Sequence, residues 1–298
     1  MSMAFDFAYG IIGDAIEIEQ YTGDESIVSI PETIEGKKVT SIKKYAFKEC
    51  RGIVEVVLAD SIESIGSHAF YNCRRLEKIT LSDRAADIGD GAFKNCDELR
   101  AVCMNREIKK SGCIKGILEE INHEIVFDFL YRDEENGEKN ARILFPKYMY
   151  QYNENTSAKV VCQETLGSGM HYRECMNPDD VDYKRYDDNF RVAMALESEK
   201  TAQEIAINRL MYPYQLSKEA DEKYRQYIEK NLIAILNRFI SEEDMERIEF
   251  LGTLNMFRED NIDELLEIAY RSEKPAVTGY FMDYKHKNFR REEKRFEF

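Results

Sequence analysis

The chain of 298 residues has no tryptophan and only four histidines, and it has far fewer basic than acidic side chains. Histidine is the commonest general acid and base in enzymes, and the four here are widely spread along the sequence. No pair of carboxylates stands out either, because acidic residues are abundant throughout. The composition therefore favours a chain without a catalytic centre or a cofactor.

Long apolar runs are also missing. No stretch approaches the ~18 consecutive apolar residues that a membrane-spanning helix needs. The amino-terminal segment has no basic start, and Asp6 and Asp14 flank its only apolar run, so it does not resemble a secretory signal. We expect a cytoplasmic protein that does not insert into membranes.

The charge balance argues against nucleic acid as a partner. The chain has 42 Lys and Arg against 57 Asp and Glu, a formal net charge of −15, which repels phosphate backbones. The densest basic stretch, Lys285 to Arg295, is offset by Glu292 and Glu293. We expect a protein partner and no nucleic acid.

A repeat of 23 residues occupies the first third of the chain. The segment from Ile53 to Cys73 aligns with the segment from Leu76 to Cys96, and parts of the same pattern precede and follow them. Six columns recur, which makes chance very improbable: Val56, Ile79 and Val102; Leu58 and Leu81; Ile42, Ile65 and Ile88; Ala46, Ala69 and Ala92; Phe47, Phe70 and Phe93; Cys50, Cys73 and Cys96.

The spacing within one unit predicts one coil of a solenoid. Leu76, Ile79 and Leu81 form a short strand whose alternate residues point inward, and Gly89 permits a bend before the Ala-Phe pair. One coil cannot bury its own apolar face, so at least three must stack. We expect the array to have an atypical first coil and a truncated fourth, and to close near residue 110.

The cysteines of the repeat are predicted to be buried thiols. Seven cysteines is an odd number, and three of them recur at one position of an apolar pattern. A shared inward position explains this recurrence better than a disulfide framework, a metal ladder or a redox relay.

The repeat resembles the BspA-type branch of leucine-rich repeats, which is common in bacterial proteins. The resemblance rests on IPETIEGKKVTSIKKYAFKEC and the two units that follow, and covers about residues 25–110. It implies a curved solenoid that attaches to protein or carbohydrate, often at the cell surface.

After residue 110 the period disappears. We expect an α+β chain with three parts: a capped leucine-rich-repeat solenoid (1–110), a mixed connecting region (111–190) and a mainly α-helical domain of stacked helix pairs (191–298). Two apolar runs, 125–131 and 141–152, lie on either side of a turn that ends at Gly137, and they indicate a strand or a hairpin. We expect a loop over residues 175–189.

The helical part has clear start signals. Capping-box spacings begin at Thr201, Ser241 and Asn261, and Ser217 precedes a long amphipathic stretch that reaches Phe239. The segment from Leu265 to Tyr284 weakly resembles the helix-turn-helix half of an ankyrin repeat, and a generic antiparallel helix pair is the alternative.

Cys162, His171 and Cys175 are the weak candidates for a metal site or for a nucleophile with its base. Thiolate and imidazole can share a zinc ion or a proton. Their spacing matches no tight zinc pattern, however, and a fourth ligand would have to come from elsewhere. We therefore expect buried or surface residues and no metal.

The candidate binding residues lie on the solenoid strands. The strand residues that do not point inward form a concave surface, and we predict that this surface binds a partner or packs on the second half of the chain. They are Glu55, Val57, Lys78, Thr80, Ala101 and Cys103.

The predicted function is a non-enzymatic protein-interaction scaffold of unknown target. One alternative is an enzyme or metal-binding effector that uses residues 115–215, which have no periodicity. The other is a bacterial cell-surface adhesin.

Overall fold

A computed structural model describes residues 2–4, 6–107, 112–133, 137–155, 160–177 and 180–289. Side chains are described for 6–107, 112–132, 137–149, 165–177 and 180–289. The chain forms two compact units, Met1–Ala220 and Asp221–Phe298. The boundaries expected at residues 110 and 190 both fall inside the first unit. At residue 110 the sheet of the solenoid continues across the expected boundary.

Short strands alternate between two sheets along the first unit. In chain order the strands are β1 (Ser2–Ala4), β2 (Phe7–Ile12), β3 (Ala15–Tyr21), β4 (Ile27–Ser29), β5 (Thr33–Ile34), β6 (Lys37–Ile42), β7 (Glu55–Val57), β8 (Ser64–Ile65), β9 (Lys78–Ser82), β10 (Asp87–Ile88), β11 (Ala101–Arg106), β12 (Ile125–Asp133), β13 (Gly137–Phe145), β14 (Met149–Asn155) and β15 (Val160–Leu166). The first sheet has the order β1-β2-β3-β6-β8-β10, with β5 beside β6, and the second has the order β13-β12-β11-β9-β7-β4. β14 and β15 form a separate two-stranded ribbon.

The second sheet is parallel from β4 to β12, and its register follows the repeat. Val56, Ile79, Val102 and Phe127 lie side by side on neighbouring strands and are all buried. Each coil therefore contributes the same inward position to one continuous apolar layer, as the 23-residue period predicts.

Aromatic rings stack inside the solenoid. The ring centroids of Phe47 and Phe70 are 4.8 Å apart, those of Phe70 and Phe93 are 5.3 Å apart, and all three side chains are fully buried. The Sγ of Cys73 donates to the carbonyl oxygen of Phe47 at 3.0 Å, and the Sγ of Cys96 donates to that of Phe70 at 3.2 Å. The prediction of buried thiols is confirmed for these two cysteines and is wrong for Cys50, which is half-buried in the first coil.

One turn position has a left-handed backbone in three successive coils. Residue 49 and its equivalents Asn72 and Asn95 have φ of 61°, 62° and 62°. Asparagine tolerates this conformation because its short polar side chain can hydrogen-bond to the nearby backbone, whereas the longer side chain of Glu49 does not offset the steric strain of its Cβ in this way. The turn therefore has the same backbone conformation in these coils, and Glu49 of the first coil is the residue least suited to that conformation.

Replacing Glu49 with glycine is expected to raise the free energy of unfolding by roughly 0.5–1 kcal/mol, because glycine adopts positive φ without strain. The side chain of Glu49 is exposed, so little packing is lost. Glu49→Ala is the matched control and should give no gain, since alanine keeps the Cβ. Urea denaturation of both variants measures the difference, and an equal gain from alanine would refute the backbone explanation.

The solenoid does not close near residue 110, so that expectation is wrong. Helix α1 (Gly112–Glu120) takes the place of the Ala-Phe turn, and β12 then pairs in parallel with β11 from Ala101 to Arg106. The carboxylate of Glu120 accepts a hydrogen bond from the backbone N–H of Gly91 at 2.8 Å, which joins α1 to the preceding coil. The fold is a solenoid with about five coils.

The predicted hairpin around Gly137 is confirmed, and β13 forms one edge of the second sheet. The hydroxyl of Tyr186 donates to the carbonyl oxygen of Leu144 at 2.7 Å and accepts from its N–H at 3.0 Å. A side chain thus pairs with backbone groups that an edge strand leaves open.

Helices make up most of the rest of the chain. After α1 they are α2 (Gly169–Arg173), α3 (Tyr183–Asp188), α4 (Phe190–Leu196), α5 (Glu199–Met211), α6 (Lys218–Lys230), α7 (Leu232–Glu242), α8 (Met245–Thr253), α9 (Ile262–Arg271) and α10 (Pro275–Asn288). In the second unit α7 packs against α8 and α9, and α9 packs against α10. The helical character of this region is confirmed, while the likeness to ankyrin repeats stays a prediction.

Several predicted boundaries differ from the structure. α3 lies inside the predicted loop 175–189, because the side chain of Asp182 caps it by accepting from the N–H of Arg185. The caps of α5 and α8 are Ser198 and Asp244, three residues from the predicted Thr201 and Ser241. The long helix expected up to Phe239 is two helices, α6 and α7, with Asn231 between them.

Candidate binding face of the solenoid

The six predicted binding residues lie on one face of the second sheet, which we call the strand face. In β7, β9 and β11 half-buried residues alternate with buried ones, as expected for strands with one side in the core. The register places these six residues in two rows across three strands: Glu55, Lys78 and Ala101 in the first, and Val57, Thr80 and Cys103 in the second.

The charges of the strand face neutralise each other. The Nζ of Lys78 lies 2.8 Å from Oε1 of Glu55, and this hydrogen bond raises the pKa of Lys78 above its ordinary value. The other four residues are small and uncharged. The central strand face therefore offers a neutral surface of small side chains with one ion pair at its border.

The strand face continues onto β12 and β13, which the sequence did not assign to it. The second row runs from Cys103 to Asp128 and then to Arg142. Arg142 pairs with Asp128 through two hydrogen bonds, one of them from Nη2 to Oδ2 at 3.2 Å. The ring of Tyr212 covers the guanidinium of Arg142, with 4.7 Å between the carbon of that group and the ring centroid.

A cleft of about 430 Å³ lies at this end of the strand face. Its walls include side chains from β11, β12 and β13 and from the residue that follows α5: Cys103, Asn105, Asp128, Leu130, Arg142 and Tyr212. Aromatic, amide and charged groups converge here beside an apolar side chain, a combination typical of recognition sites.

Cys103 is the single thiol among the six predicted binding residues. Burial raises its pKa, and the nearby carboxylate of Asp128 raises it further. The thiol is therefore protonated at neutral pH, and a protonated thiol is a poor nucleophile and a poor metal ligand. Cys103 can contribute a small apolar contact to a partner.

The described residues do not form a metal site from the weak candidates Cys162, His171 and Cys175. The side chain of Cys162 lies outside the described residues, and His171 is exposed on α2. Cys175 is buried, its Sγ donates to the carbonyl oxygen of His171 at 3.3 Å, and burial raises its pKa to about 12. Within the part of the chain that the structure describes, no three His, Cys, Asp or Glu side chains are placed to hold a metal ion.

The family model of the BspA type leucine rich repeat region matches residues 17–122, in six copies. This confirms the resemblance and extends it at both ends of the predicted span of about 25–110. Residues 17–122 are a BspA-type leucine-rich-repeat region. No curated protein matches the chain. Among the described residues, no helix has the length and apolar character needed to cross a bilayer.

Solved leucine-rich-repeat structures of bacteria match a little more than a third of the chain. A leucine rich cell surface protein of Faecalibacterium prausnitzii is 26% identical over 38% of this chain and 34% of its own, with a TM-score of 0.30. A leucine-rich repeat protein of Bacteroides capillosus is 28% identical over 34% of this chain and 80% of its own, with a TM-score of 0.32. The match thus spans about a third of the Faecalibacterium protein.

Proposed function

We propose that the chain is a non-enzymatic scaffold, which binds another protein through its strand face. The premise is that residues 17–122 form a BspA-type leucine-rich-repeat region. Leucine-rich repeats generally serve protein interaction, because stacked coils present a long regular surface. One observation carries the proposal. Six side chains at equivalent repeat positions lie in register on one half-exposed face that leads into a cleft.

The chemistry of the strand face suits a protein surface better than a charged small molecule. Val57, Thr80 and Ala101 provide a central area without net charge, which a partner can dehydrate at little cost. The ion pairs Lys78–Glu55 and Arg142–Asp128 border this area. Each charge in these pairs is neutralised by its partner within the chain. The pairs can therefore orient a bound protein that itself has little charge.

Replacing Thr80 with arginine is expected to abolish partner binding, since it places a long unpaired cation in the middle of the strand face. Thr40→Arg is the matched control, because Thr40 is also a half-buried strand residue but belongs to the first sheet. We expect one protein of the source organism's lysate to be retained in stoichiometric amount by the wild type and by Thr40→Arg, and to fall by about tenfold or more with Thr80→Arg. Equal retention by both variants, or no stoichiometric partner, would contradict the proposal.

A surface location is the second candidate. One protein with a matching structure, from Faecalibacterium prausnitzii, is described as a leucine rich cell surface protein. The cytoplasmic location predicted from the sequence and the adhesin alternative make opposite predictions for intact cells. Antibody labelling without permeabilisation supports an adhesin if the cells stain, and supports a cytoplasmic scaffold if only lysed cells stain.

A further inference from the structure

The two edge strands of the second sheet differ in whether another group pairs with their outer backbone groups. At one edge Tyr186 pairs with the backbone of β13. At the other edge β4 is the terminal strand, and β7 is its neighbour on one side. An open edge presents backbone groups that can pair with another extended chain.

The hydrogen bonds of β4 show which groups face away from the sheet. The carbonyl oxygen of Ser26 accepts from the N–H of Val54 at 2.7 Å, and the N–H of Ile30 donates to the carbonyl oxygen of Val57 at 2.8 Å. In a parallel pair alternate residues bond to the same neighbour, so the N–H and C=O of Ile27 and Ser29 point to the open side. No described strand lies on that side.

A groove of about 350 Å³ accompanies this edge. Its apolar wall consists of Phe7, Tyr21, Val28 and Pro31, and Ile27 beside it is 58% exposed. An exposed isoleucine on an edge strand, next to an apolar groove, is the combination that strand-adding partners use for backbone pairing and side-chain specificity.

Among the described residues that line the groove, the charged ones are both acidic. They are Asp6 and Glu25, and both lie close enough to Tyr21 for their negative charge to add to the effect of burial in raising the pKa of its hydroxyl. In a pair of copies joined through β4, neither copy's groove would offer a basic side chain to neutralise these carboxylates. The charge therefore favours a basic occupant over a second copy.

We infer that the open edge of β4 binds an extended segment of a partner protein, which adds as a strand beside Ile27 and Ser29 and places a lysine or arginine next to Asp6 and Glu25. The added strand forms backbone hydrogen bonds with these two residues, and an apolar side chain enters the groove. The surface differs from the centre of the strand face, so Thr80→Arg is expected to leave it intact.

Fluorescence anisotropy with two labelled peptides tests the inference on the full chain. Both peptides alternate valine and threonine over about seven residues, and they end in two lysines or in two glutamates. We expect the lysine peptide to bind about fivefold more tightly than the glutamate peptide, as for exposed charge pairs. No binding, or equal binding of the two peptides, would overturn the inference.

Variants in β4 and next to it distinguish binding as an added strand from binding through charge alone. Ser29→Pro removes an N–H that points outward and spares the bonds to β7, whereas the matched Ser29→Thr keeps that N–H. We expect about a tenfold weaker binding of the lysine peptide to Ser29→Pro and no change with Ser29→Thr. Glu25→Lys alters no backbone group and should remove the preference for lysine, which keeps the test decisive if the proline variant does not fold. Unchanged binding in Ser29→Pro and Glu25→Lys, or a dimer of the wild type by light scattering, would contradict the inference.

Discussion

Replacing Phe70 with alanine is expected to lower the free energy of unfolding of the first unit by about 3–5 kcal/mol. Phe70 is fully buried between the rings of Phe47 and Phe93, so its removal opens a cavity in the middle of the stack. The loss includes the transfer free energy of the ring and the contacts that its two neighbours no longer make.

Tyr71→Ala is the matched control for Phe70→Ala. Tyr71 is the next residue in the same turn, but it is half-exposed and its ring contacts His68 at the surface. Its removal should cost about 1 kcal/mol or less. Urea unfolding monitored by hydrogen exchange of the amides of β7 and β9 compares the two variants. Similar losses in both would show that the phenylalanine stack does not stabilise the solenoid as described.

Replacing Arg209 with methionine is expected to cost about 3–5 kcal/mol, because it leaves a carboxylate buried without its main partner. The guanidinium of Arg209 on α5 donates from Nε and Nη2 to the two carboxylate oxygens of Asp187 on α3, at 2.8 and 3.1 Å. Both side chains are almost completely buried. The pair fastens α5 to the segment that covers the β13 edge.

Two further variants isolate this effect. The double variant Arg209→Met with Asp187→Leu removes both charges and should recover most of the lost stability, since an apolar replacement of a buried pair is often nearly neutral. Arg185→Met breaks the exposed Arg185–Glu174 pair, which has the same 2.8 Å separation, and should cost about 1 kcal/mol or less. Equal losses from Arg209→Met and Arg185→Met in thermal unfolding would refute the role assigned to burial.

The repeating part of the fold could be predicted because one residue type recurs at one position of each coil. Phe47, Phe70 and Phe93, for example, occupy the same inward position and meet in a stack. The place of β12 as the fifth parallel strand of the solenoid was not predicted, because α1 replaces the Ala-Phe turn of the preceding coils and interrupts the period, although Phe127 continues the inward column. The alternation of Phe127, Phe129 and Tyr131 was the signal that could have revealed it.

The residues of the candidate site could likewise be predicted only in part. Thr80 and Cys103 could be assigned to one row because the repeat places them at equivalent strand positions. Asp128, Arg142 and Tyr212 could not be assigned to the strand face, because they belong to different elements and no period relates them. The edge contact of Tyr186 is equally invisible in the sequence, since it depends on where α3 packs against β13.

Site-specific photo-crosslinking can show whether the strand face contacts a partner protein. A photoreactive residue is placed at position 80 on the strand face, and in a second protein at position 40 on the first sheet, and each protein is irradiated in the source organism's lysate. We expect a discrete adduct with one protein from position 80 and none from position 40. The same adduct from both positions, or an adduct from position 40 alone, would contradict a binding function of the strand face.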